Sequence, residues 1–326
     1  MAADATAYGD LDDGLLALFD SSEDLVDWEA SWAPAGDIDQ RFSIDWRVVP
    51  RGVLDTREGT IRVRRSRTES HLLLEVAAVP GAPEVPLFAR IVPGDGADPV
   101  AVTLYNMDRF GVARAMINVG NPTRDDPARA ARTFPDRFLP CLDIDPRNGV
   151  EEIRRIRRYH DEFGLVALTT FPAGCRTSIN AAPFYPIYAT CVELDIPIFV
   201  NVGVPGPRIP LEPQKVEHLD EVCWFFPELK VVMRHGAEPW EDLAVKLMLK
   251  WPNLYYSTSA FAPRYYPRAI IDYANTRGAD KVIYAGYFPA GLTYERIMSE
   301  LPDVPLKDEV WPKFLRDNAA RVLGLD

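Results

Sequence analysis

Residues 196–208 and 229–240 read IPIFVNVGVPGPR and LKVVMRHGAEPW, and the fold class is clearest from these two stretches. Each opens with an apolar run, reaches a polar residue and continues into a segment that contains glycine and proline. Continuous rather than alternating apolar residues are typical of strands buried on both faces, as in a parallel sheet covered by helices. Each stretch therefore predicts a buried parallel strand with a loop at its carboxyl end.

The same pattern extends outward along the chain in both directions. Amphipathic segments separate the apolar runs, as where Ile153, Ile156 and Tyr159 share one helix face and arginines occupy the other. The predicted strands are residues 71–79, 113–118, 138–144, 165–171, 196–202, 229–235, 254–258 and 281–285. Eight strand–helix units in about 250 residues are typical of a (β/α)8 TIM barrel, whose active site lies at the carboxyl ends of the strands. We therefore predict an α/β fold with a TIM barrel over residues 71–326.

A doubly wound nucleotide-binding sheet is the alternative fold for alternating strands and helices. Such sheets carry a GxGxxG turn after the first strand, and residues 79–83 read VPGAP instead. The sequence therefore does not favour a dinucleotide site.

Residues 1–70 differ in composition and are predicted to form an N-terminal extension. Its first part is acidic and its second part is rich in arginine. Trp28 and Trp32 stand at helical spacing and predict a short helix, whereas Ile61 and Val63 alternate with arginines as in one strand of a hairpin. We expect the extension to act as a lid over the barrel or as the arm of a homodimer.

Composition limits the classes of partner. The net charge of -12 disfavours non-specific binding to nucleic acid or an anionic membrane, because both require a positive field. No stretch of 18 apolar residues and no signal-peptide pattern occurs, so we expect a cytoplasmic protein with a small-molecule substrate. The four cysteines lack CxxC spacing and are predicted to be core thiols: Cys141, Cys175, Cys191 and Cys223.

Residues 195–326 resemble the amidohydrolase-related family that includes aminocarboxymuconate-semialdehyde decarboxylase and resorcylate decarboxylase. The resemblance is carried by IPIFVNVGVPGPR, LKVVMRHGAEPW, NLYYSTSAFAPRYYP, YANTRGADKVIYAGYFP and FLRDNAARVLGL. It extends back through MDRFGVARAMINV, FPDRFLPCLDIDP and FGLVALTTFPAG to HLLLEVAAVPG, and it does not cover residues 1–70. It implies a TIM barrel with lyase or hydrolase activity.

In that family the metal ligands follow the first, fifth and eighth strands, and a His at the end of the sixth strand resembles a general acid/base beside the metal. By the resemblance, Ala77 and Val79 stand in place of the first-strand histidines, Asn201 of the fifth-strand His and Tyr287 of the eighth-strand Asp, while His235 is retained. A catalytic zinc site needs three protein ligands of N, S or O type, and neither Ala nor Val can donate. The chain has four histidines and no HxH. We therefore predict no metal and no other cofactor.

His235 is the main candidate catalytic residue, because imidazole can move protons without a metal. Tyr287 and Asn201 are predicted to donate hydrogen bonds to a developing oxyanion. The remaining candidates lie at or after the strand ends and are predicted to bind the substrate: Arg176, Arg208 and Arg264 as carboxylate clamps, Trp240 and Tyr265 as an apolar wall, and Thr169 and Ser259 as the floor.

Three functions remain open at this point. The first is a metal-independent lyase or hydrolase that acts on a small anionic or phenolic carbonyl compound by decarboxylation, hydrolysis, dehydration, isomerisation or cyclisation. The second is a non-catalytic ligand-binding or partner subunit, for which Tyr287 would only fill the space of a lost ligand. The third is a metal-dependent enzyme with ligands recruited around His235 from Glu75, Asp143 or Glu238.

Overall fold

The computed structural model describes residues 99–122, 125–288 and 292–325, together with the backbone of six strands between residues 27 and 92. The chain divides into two compact units, Met1–Ala113 and Arg114–Asp326. No helix in these described stretches is long and apolar enough to cross a bilayer.

The described part of the first unit consists of antiparallel sheets and one helix. β1 (Asp27–Trp32), β3 (Gly59–Arg65), β4 (Leu72–Ala77) and β5 (Val85–Ala89) form a four-stranded sheet in the order β1-β3-β4-β5. β2 (Ser43–Ile44) pairs with β6 (Ile91–Val92), and α1 (Pro99–Arg109) follows.

Two sequence predictions for this unit are wrong. The segment with Trp28 and Trp32 is a strand rather than a helix. A spacing of four residues places two side chains on the same face of a helix and of a strand, so this spacing cannot distinguish a helix from a strand. β4 is not the first strand of the parallel barrel, because it pairs antiparallel with both β3 and β5. Its apolar run suits a buried strand in any sheet, and local sequence does not specify the partner. The boundary after residue 70 stays a prediction.

The predicted strand at Ile61 and Val63 is confirmed as β3. β3 pairs antiparallel with β4, and the register runs from the residue pair Thr60 and Ala77 to the pair Arg65 and Leu72.

The second unit is built on a curled parallel sheet of seven strands, which confirms the TIM-barrel class. Its strands are β7 (Ala115–Asn118), β8 (Phe138–Asp143), β9 (Ala167–Thr170), β10 (Ile198–Asn201), β11 (Val231–Arg234), β12 (Leu254–Ser257) and β13 (Val282–Ile283). They lie side by side in chain order. Each of the seven falls inside a run that the sequence predicts as a strand.

Helices connect the strands of this sheet, and two more follow the last strand. They are α2 (Asp126–Thr133), α3 (Val150–Phe163), α4 (Pro172–Cys175), α5 (Tyr185–Glu193), α6 (His218–Phe225), α7 (Glu241–Lys250), α8 (Arg268–Ala274), α9 (Tyr294–Glu300) and α10 (Asn318–Leu323). In α3, Ile156 is fully buried, as its place on the predicted apolar face requires. This helix ends at Gly164, whose φ of 65° is readily adopted by glycine.

Alternation along the strands separates two layers of apolar side chains. One face contributes to the main core, including Leu142, Leu168, Met233 and Tyr256. The other face forms a smaller cluster of Cys141, Ala167, Phe199, Val232 and Ile283, with Met116 and Tyr255 packed against it. Because successive side chains of a strand point to opposite faces, the residues two positions further on share the face of the smaller cluster.

Those residues are polar in six of the seven strands, and they lie at the carboxyl ends. We call them the polar layer: Asn118, Asp143, Thr169, Asn201, Arg234 and Ser257. The sheet thus carries an apolar layer and, above it at the strand ends, a layer that can recognise a polar ligand.

Candidate active site

The polar layer is tied together on its β7–β9 side through Asp143. The Asn118 side-chain oxygen accepts hydrogen bonds from the backbone N–H groups of Asp143 and Gly120, at 3.2 and 3.0 Å. Thr169 donates from its hydroxyl to Asp143 Oδ1 at 2.8 Å. Burial raises the pKa of the Asp143 carboxyl, while the Thr169 hydrogen bond and the charges of Arg234 and Arg155 oppose that rise. Asp143 therefore contributes a fixed acceptor and a negative field to the site.

Arg234 lies in the middle of the polar layer, on β11. Its Nε donates to Asn201 Oδ1 at 2.5 Å, and the two residues are register partners of the adjacent parallel strands β10 and β11. Burial lowers the pKa of the guanidinium, and the negative field of Asp143 opposes this. Asn201 is 9% exposed. The site therefore contains a partly buried cation whose only hydrogen bond to the described residues goes to a neutral amide.

The backbone after β11 turns sharply to present His235. His235, Gly236 and Ala237 have φ values of 68°, 110° and 81°, three successive residues in the left-handed half of backbone space. A Cβ on Gly236 would lie 2.0 Å from the Glu238 carboxylate. Tyr256 donates from its hydroxyl to the Gly236 carbonyl at 2.7 Å and holds the turn in place. Strained backbone of this kind persists where the surrounding structure enforces it, often at functional sites.

A second glycine lets the loops after β10 and β11 approach each other. Gly203 has a φ of 87°, and a Cβ there would come within 2.9 Å of the Ala237 and Glu238 backbone. Val204 donates from its backbone N–H to the Glu238 carbonyl at 2.9 Å. The two loops that follow β10 and β11, each containing glycine and proline, are therefore packed backbone against backbone. This packing fixes the ends of the two strands relative to one another.

His235 is half-buried and lies beside Arg234 in the chain. Its Nδ1 is 2.9 Å from Ser259 Oγ, after β12. Burial and the positive field of Arg234 lower the pKa of His235 to about 3, although hydrogen bonding to Ser259 opposes the fall. The imidazole is therefore neutral at physiological pH, and Ser259 fixes its ring orientation while Nε2 remains for a ligand.

Tyr287 lies against His235 after β13. The two rings are 5.1 Å apart between centroids and meet edge to face at 80°. Tyr287 also packs on a small apolar cluster of Ala262, Leu292 and Ile297. Its hydroxyl forms no hydrogen bond with the described residues. The ring fills space next to the histidine, and the hydroxyl retains a donor for a ligand.

The structure therefore brings two groups of predicted residues together. In the first group, Ser259 and Tyr287 each contact His235. In the second group, Asn201 and Thr169 belong to the polar layer. Arg234 was not predicted. The alternation of inward and outward side chains along residues 231–234 is the signal that places it, and an interpretation of residues 229–235 as one continuous apolar run overlooks that signal.

The other predicted substrate-binding residues lie apart from this group in their described contacts. Arg176 and Arg208 are exposed. Arg264 pairs with Glu300 at 3.6 Å and stacks over the exposed ring of Tyr265. Trp240 caps the start of α7 and packs against the main core. No described contact connects these five side chains to His235 or to the polar layer.

The donor set does not fit the metal that the family resemblance implies. In the described part of the chain, no three His, Cys, Asp or Glu side chains are grouped so that they could hold a metal ion. His160 and His218 lie on helices α3 and α6 and not at the strand ends. Burial raises the pKa of the Cys141 thiol to about 12, which disfavours the thiolate that a metal would bind. The Arg234 guanidinium also contacts Asn201, the position expected for a ligand, and it would repel a divalent cation there.

A metal site with ligands recruited around His235 also lacks a suitable group of side chains in the described part of the chain. Asp143 accepts a hydrogen bond from Thr169. Among the described residues, neither Asp143 nor Glu238 belongs to a group of three possible metal ligands. The side chain of Glu75, on β4, lies outside the described residues.

Comparison with known proteins identifies the class of this barrel. A sequence family described as amidohydrolase matches residues 78–325. The chain belongs to the amidohydrolase family. No curated protein is similar enough in sequence to count as a match.

Solved structures share the fold at low sequence identity. An uncharacterized TIM-barrel protein of Bordetella bronchiseptica is 24% identical, with a TM-score of 0.61 over 69% of this chain and 82% of its own. The 2,6-dihydroxybenzoate decarboxylase of Rhizobium is 17% identical, with a TM-score of 0.57 over 72% and 94%. The 5-carboxyvanillate decarboxylase of Novosphingobium aromaticivorans, complexed with manganese and a nitrobenzoic acid, is 18% identical, with a TM-score of 0.53 over 68% and 79%. At these identities the likeness establishes the fold.

Proposed function

We propose that this chain is a metal-independent lyase or hydrolase that acts on a small anionic or phenolic carbonyl compound. The single observation that carries the proposal is the convergence of His235, Tyr287 and the polar layer at the carboxyl ends of the sheet. In TIM-barrel enzymes this face holds the active site. Decarboxylation of a phenolic carboxylic acid is the reaction we test first, because two of the solved structures with this fold are named as such decarboxylases.

In this proposal His235 transfers the proton. In a decarboxylation the imidazole first takes up a proton from solvent once the bound carboxylate offsets the positive field of Arg234. It then delivers this proton to the ring carbon that bears the carboxylate, the bond between that carbon and the carboxylate breaks, and CO2 leaves. The electron pair of the new C–H bond comes from the aromatic ring, and the electrons of the broken bond restore its aromaticity. Solvent returns the proton to the imidazole. Ser259 orients the ring for this transfer.

Asn201 and Tyr287 act on the developing charge. The Asn201 side-chain oxygen accepts from Arg234, which leaves its amide N–H groups as the donors that face other partners. The Tyr287 hydroxyl is a donor next to the imidazole. Fixed donors in a partly desolvated site stabilise an oxyanion more strongly than water does.

The test is turnover on a panel of phenolic acids that includes 2,6-dihydroxybenzoate and 5-carboxyvanillate, followed by CO2 release. We expect His235→Ala to lower kcat by roughly 10²- to 10⁴-fold and Tyr287→Phe to lower it less. His160→Ala, on α3, is the matched control and should leave kcat unchanged. Equal turnover in wild type, His235→Ala and Tyr287→Phe would refute these roles.

A non-catalytic ligand-binding subunit is the second candidate. The packing of Tyr287 on Ala262, Leu292 and Ile297 favours it, because a ring retained only to fill space would be held in this way. The absence of turnover on every acid of the panel, combined with saturable binding of one of them, would favour this candidate over the enzyme.

A further inference from the structure

We propose that Arg234 is the anion-binding residue of this barrel and that its ligand is the carboxylate of a small organic acid. The proposal deepens the proposed function by naming its substrate class, and it rests on that function only in taking the bound acid to be the substrate. The binding itself is testable without turnover.

The hydrogen bonding of Arg234 is incomplete. A guanidinium has five N–H donors and is rarely buried without a negative partner. Among the described residues, only Asn201 accepts a hydrogen bond from Arg234, through Nε. Asp143 acts on it through its field and not through an ion pair. The two terminal nitrogens are therefore the donors that a ligand can use.

Arg155, on α3, shows how the hydrogen bonds of a structural arginine are satisfied in this unit. Its terminal nitrogens donate to Glu152 at 2.6 Å and to the backbone carbonyls of Asp143 and Gly120 at 3.1 and 3.3 Å. Its charge is neutralised by a fully buried carboxylate, and its donors are used. Arg234 has neither feature, although it lies on the face of the sheet where ligands bind in this fold.

The geometry of the guanidinium selects the ligand. Two parallel N–H groups match the two oxygens of a carboxylate, and a partly desolvated pair of this kind is stronger than one in water. Asn201 holds Nε and so fixes the plane of the fork. Asp143, with its own negative field nearby, disfavours dianions and favours a singly charged acid.

Occupation of this site acts on the neighbouring imidazole. The positive field of Arg234 is one cause of the low pKa of His235. A carboxylate paired with Arg234 cancels that field, so the imidazole becomes a stronger base when the ligand is bound. Binding of an acid at Arg234 therefore prepares His235 to carry a proton.

The experiment compares a carboxylate with its neutral isostere by calorimetry. The probes are 2,6-dihydroxybenzoate and 2,6-dihydroxybenzamide, with benzoate as a second singly charged acid and 5-carboxyvanillate as a dianion that should bind less tightly than 2,6-dihydroxybenzoate. We expect wild type to prefer the carboxylate over the amide by at least about tenfold, and Arg234→Gln to weaken carboxylate binding by roughly 10- to 100-fold while amide binding changes little. Arg268→Gln, which removes an exposed arginine of α8, should bind as wild type does.

Arg234→Lys keeps the charge without the planar fork, so it should bind the acid less tightly than wild type and more tightly than Arg234→Gln. The free energy of unfolding of ligand-free Arg234→Gln should equal or exceed that of wild type, because a partly buried charge without an ion-pair partner is removed. The proposal is overturned if Arg234→Gln and Arg234→Lys retain wild-type affinity for the acid, or if wild type binds none of the acids at millimolar concentration. Carboxylate selectivity without turnover would refute the proposed function and leave this inference standing.

Discussion

Arg234 on β11 donates from Nε to the side-chain oxygen of Asn201 on β10 at 2.5 Å, across a register pair of two parallel strands. A cation is thereby held at the carboxyl ends of the strands by a neutral partner. Its charge remains available to a ligand, whereas a carboxylate in place of the amide would neutralise it. Asn at position 201 therefore favours ligand binding by Arg234, whereas an acidic residue there would favour the stability of the fold.

Replacing this amide by a carboxylate separates those two properties. Asn201→Asp should raise the free energy of unfolding, because it gives Arg234 an ion-pair partner, and should weaken binding of 2,6-dihydroxybenzoate by at least about tenfold. Asn201→Ala should instead lower the free energy of unfolding by about 1–3 kcal/mol, because it removes the hydrogen bond of the partly buried Arg234. Urea unfolding and calorimetry measure both. Tighter acid binding in Asn201→Asp would contradict the assigned role.

The low pKa of His235 predicts a specific pH dependence of stability. The imidazole has a pKa of about 3 in the folded protein and 6.5 in the unfolded chain. The neutral buried form therefore stabilises the fold above pH 6.5, and this stability is lost as pH falls toward 3. The slope is about 1.4 kcal/mol per pH unit for a full proton, or about 2 kcal/mol between pH 6.5 and 5.

His235→Gln should remove that contribution. Urea unfolding at pH 7, 6 and 5 should show a shallower loss of stability in the variant than in wild type. Parallel curves for the two proteins would show that His235 is protonated similarly in the folded and unfolded states.

The charge of Arg234 should be visible in the titration of its neighbour. Arg234→Gln removes one cause of the low pKa of His235, so that pKa should rise toward its ordinary value. Carbon-13 chemical shifts of the labelled imidazole measure it directly. Arg268→Gln on α8 provides the control and should leave the titration unchanged. An unchanged titration in Arg234→Gln would mean that burial alone sets the pKa.

The turn that presents His235 depends on Gly236. Gly236→Ala should lower the free energy of unfolding by about 2–4 kcal/mol, because the new methyl collides with Glu238 and Phe261 at a φ of 110°. Gly324 also has a positive φ, of 66°, but a Cβ there meets nothing within 4 Å. Gly324→Ala should therefore cost only about 1 kcal/mol. Equal losses in both variants would show that crowding at Gly236 is relieved cheaply.

Sequence alone predicts the parallel strands well, because a continuous apolar run of four to seven residues bounded by loops has few other interpretations. It fails at β1 and β4, where the run suits a strand or a helix, or a strand in either type of sheet. Which strand is the partner depends on contacts between residues distant in the chain, and neither Trp28 nor Leu74 carries that information locally.

The candidate site is predictable in part for a similar reason. His235 and Asn201 lie directly at strand ends, and the family resemblance covers both positions. They can therefore be predicted from the sequence. Arg234 requires knowledge of which face of β11 points inward. The pKa of His235 requires both its burial and the position of that arginine, and these are properties of the folded chain.

In the proposed site, fixed side chains take the place of a metal at the carboxyl ends of the strands, with Arg234 as the cation. The decisive measurement is elemental analysis of protein purified from its native host without chelator. We predict far less than one equivalent of zinc or manganese per chain, with the same content in His235→Ala. Near-stoichiometric metal in wild type that is lost in His235→Ala would contradict the claim.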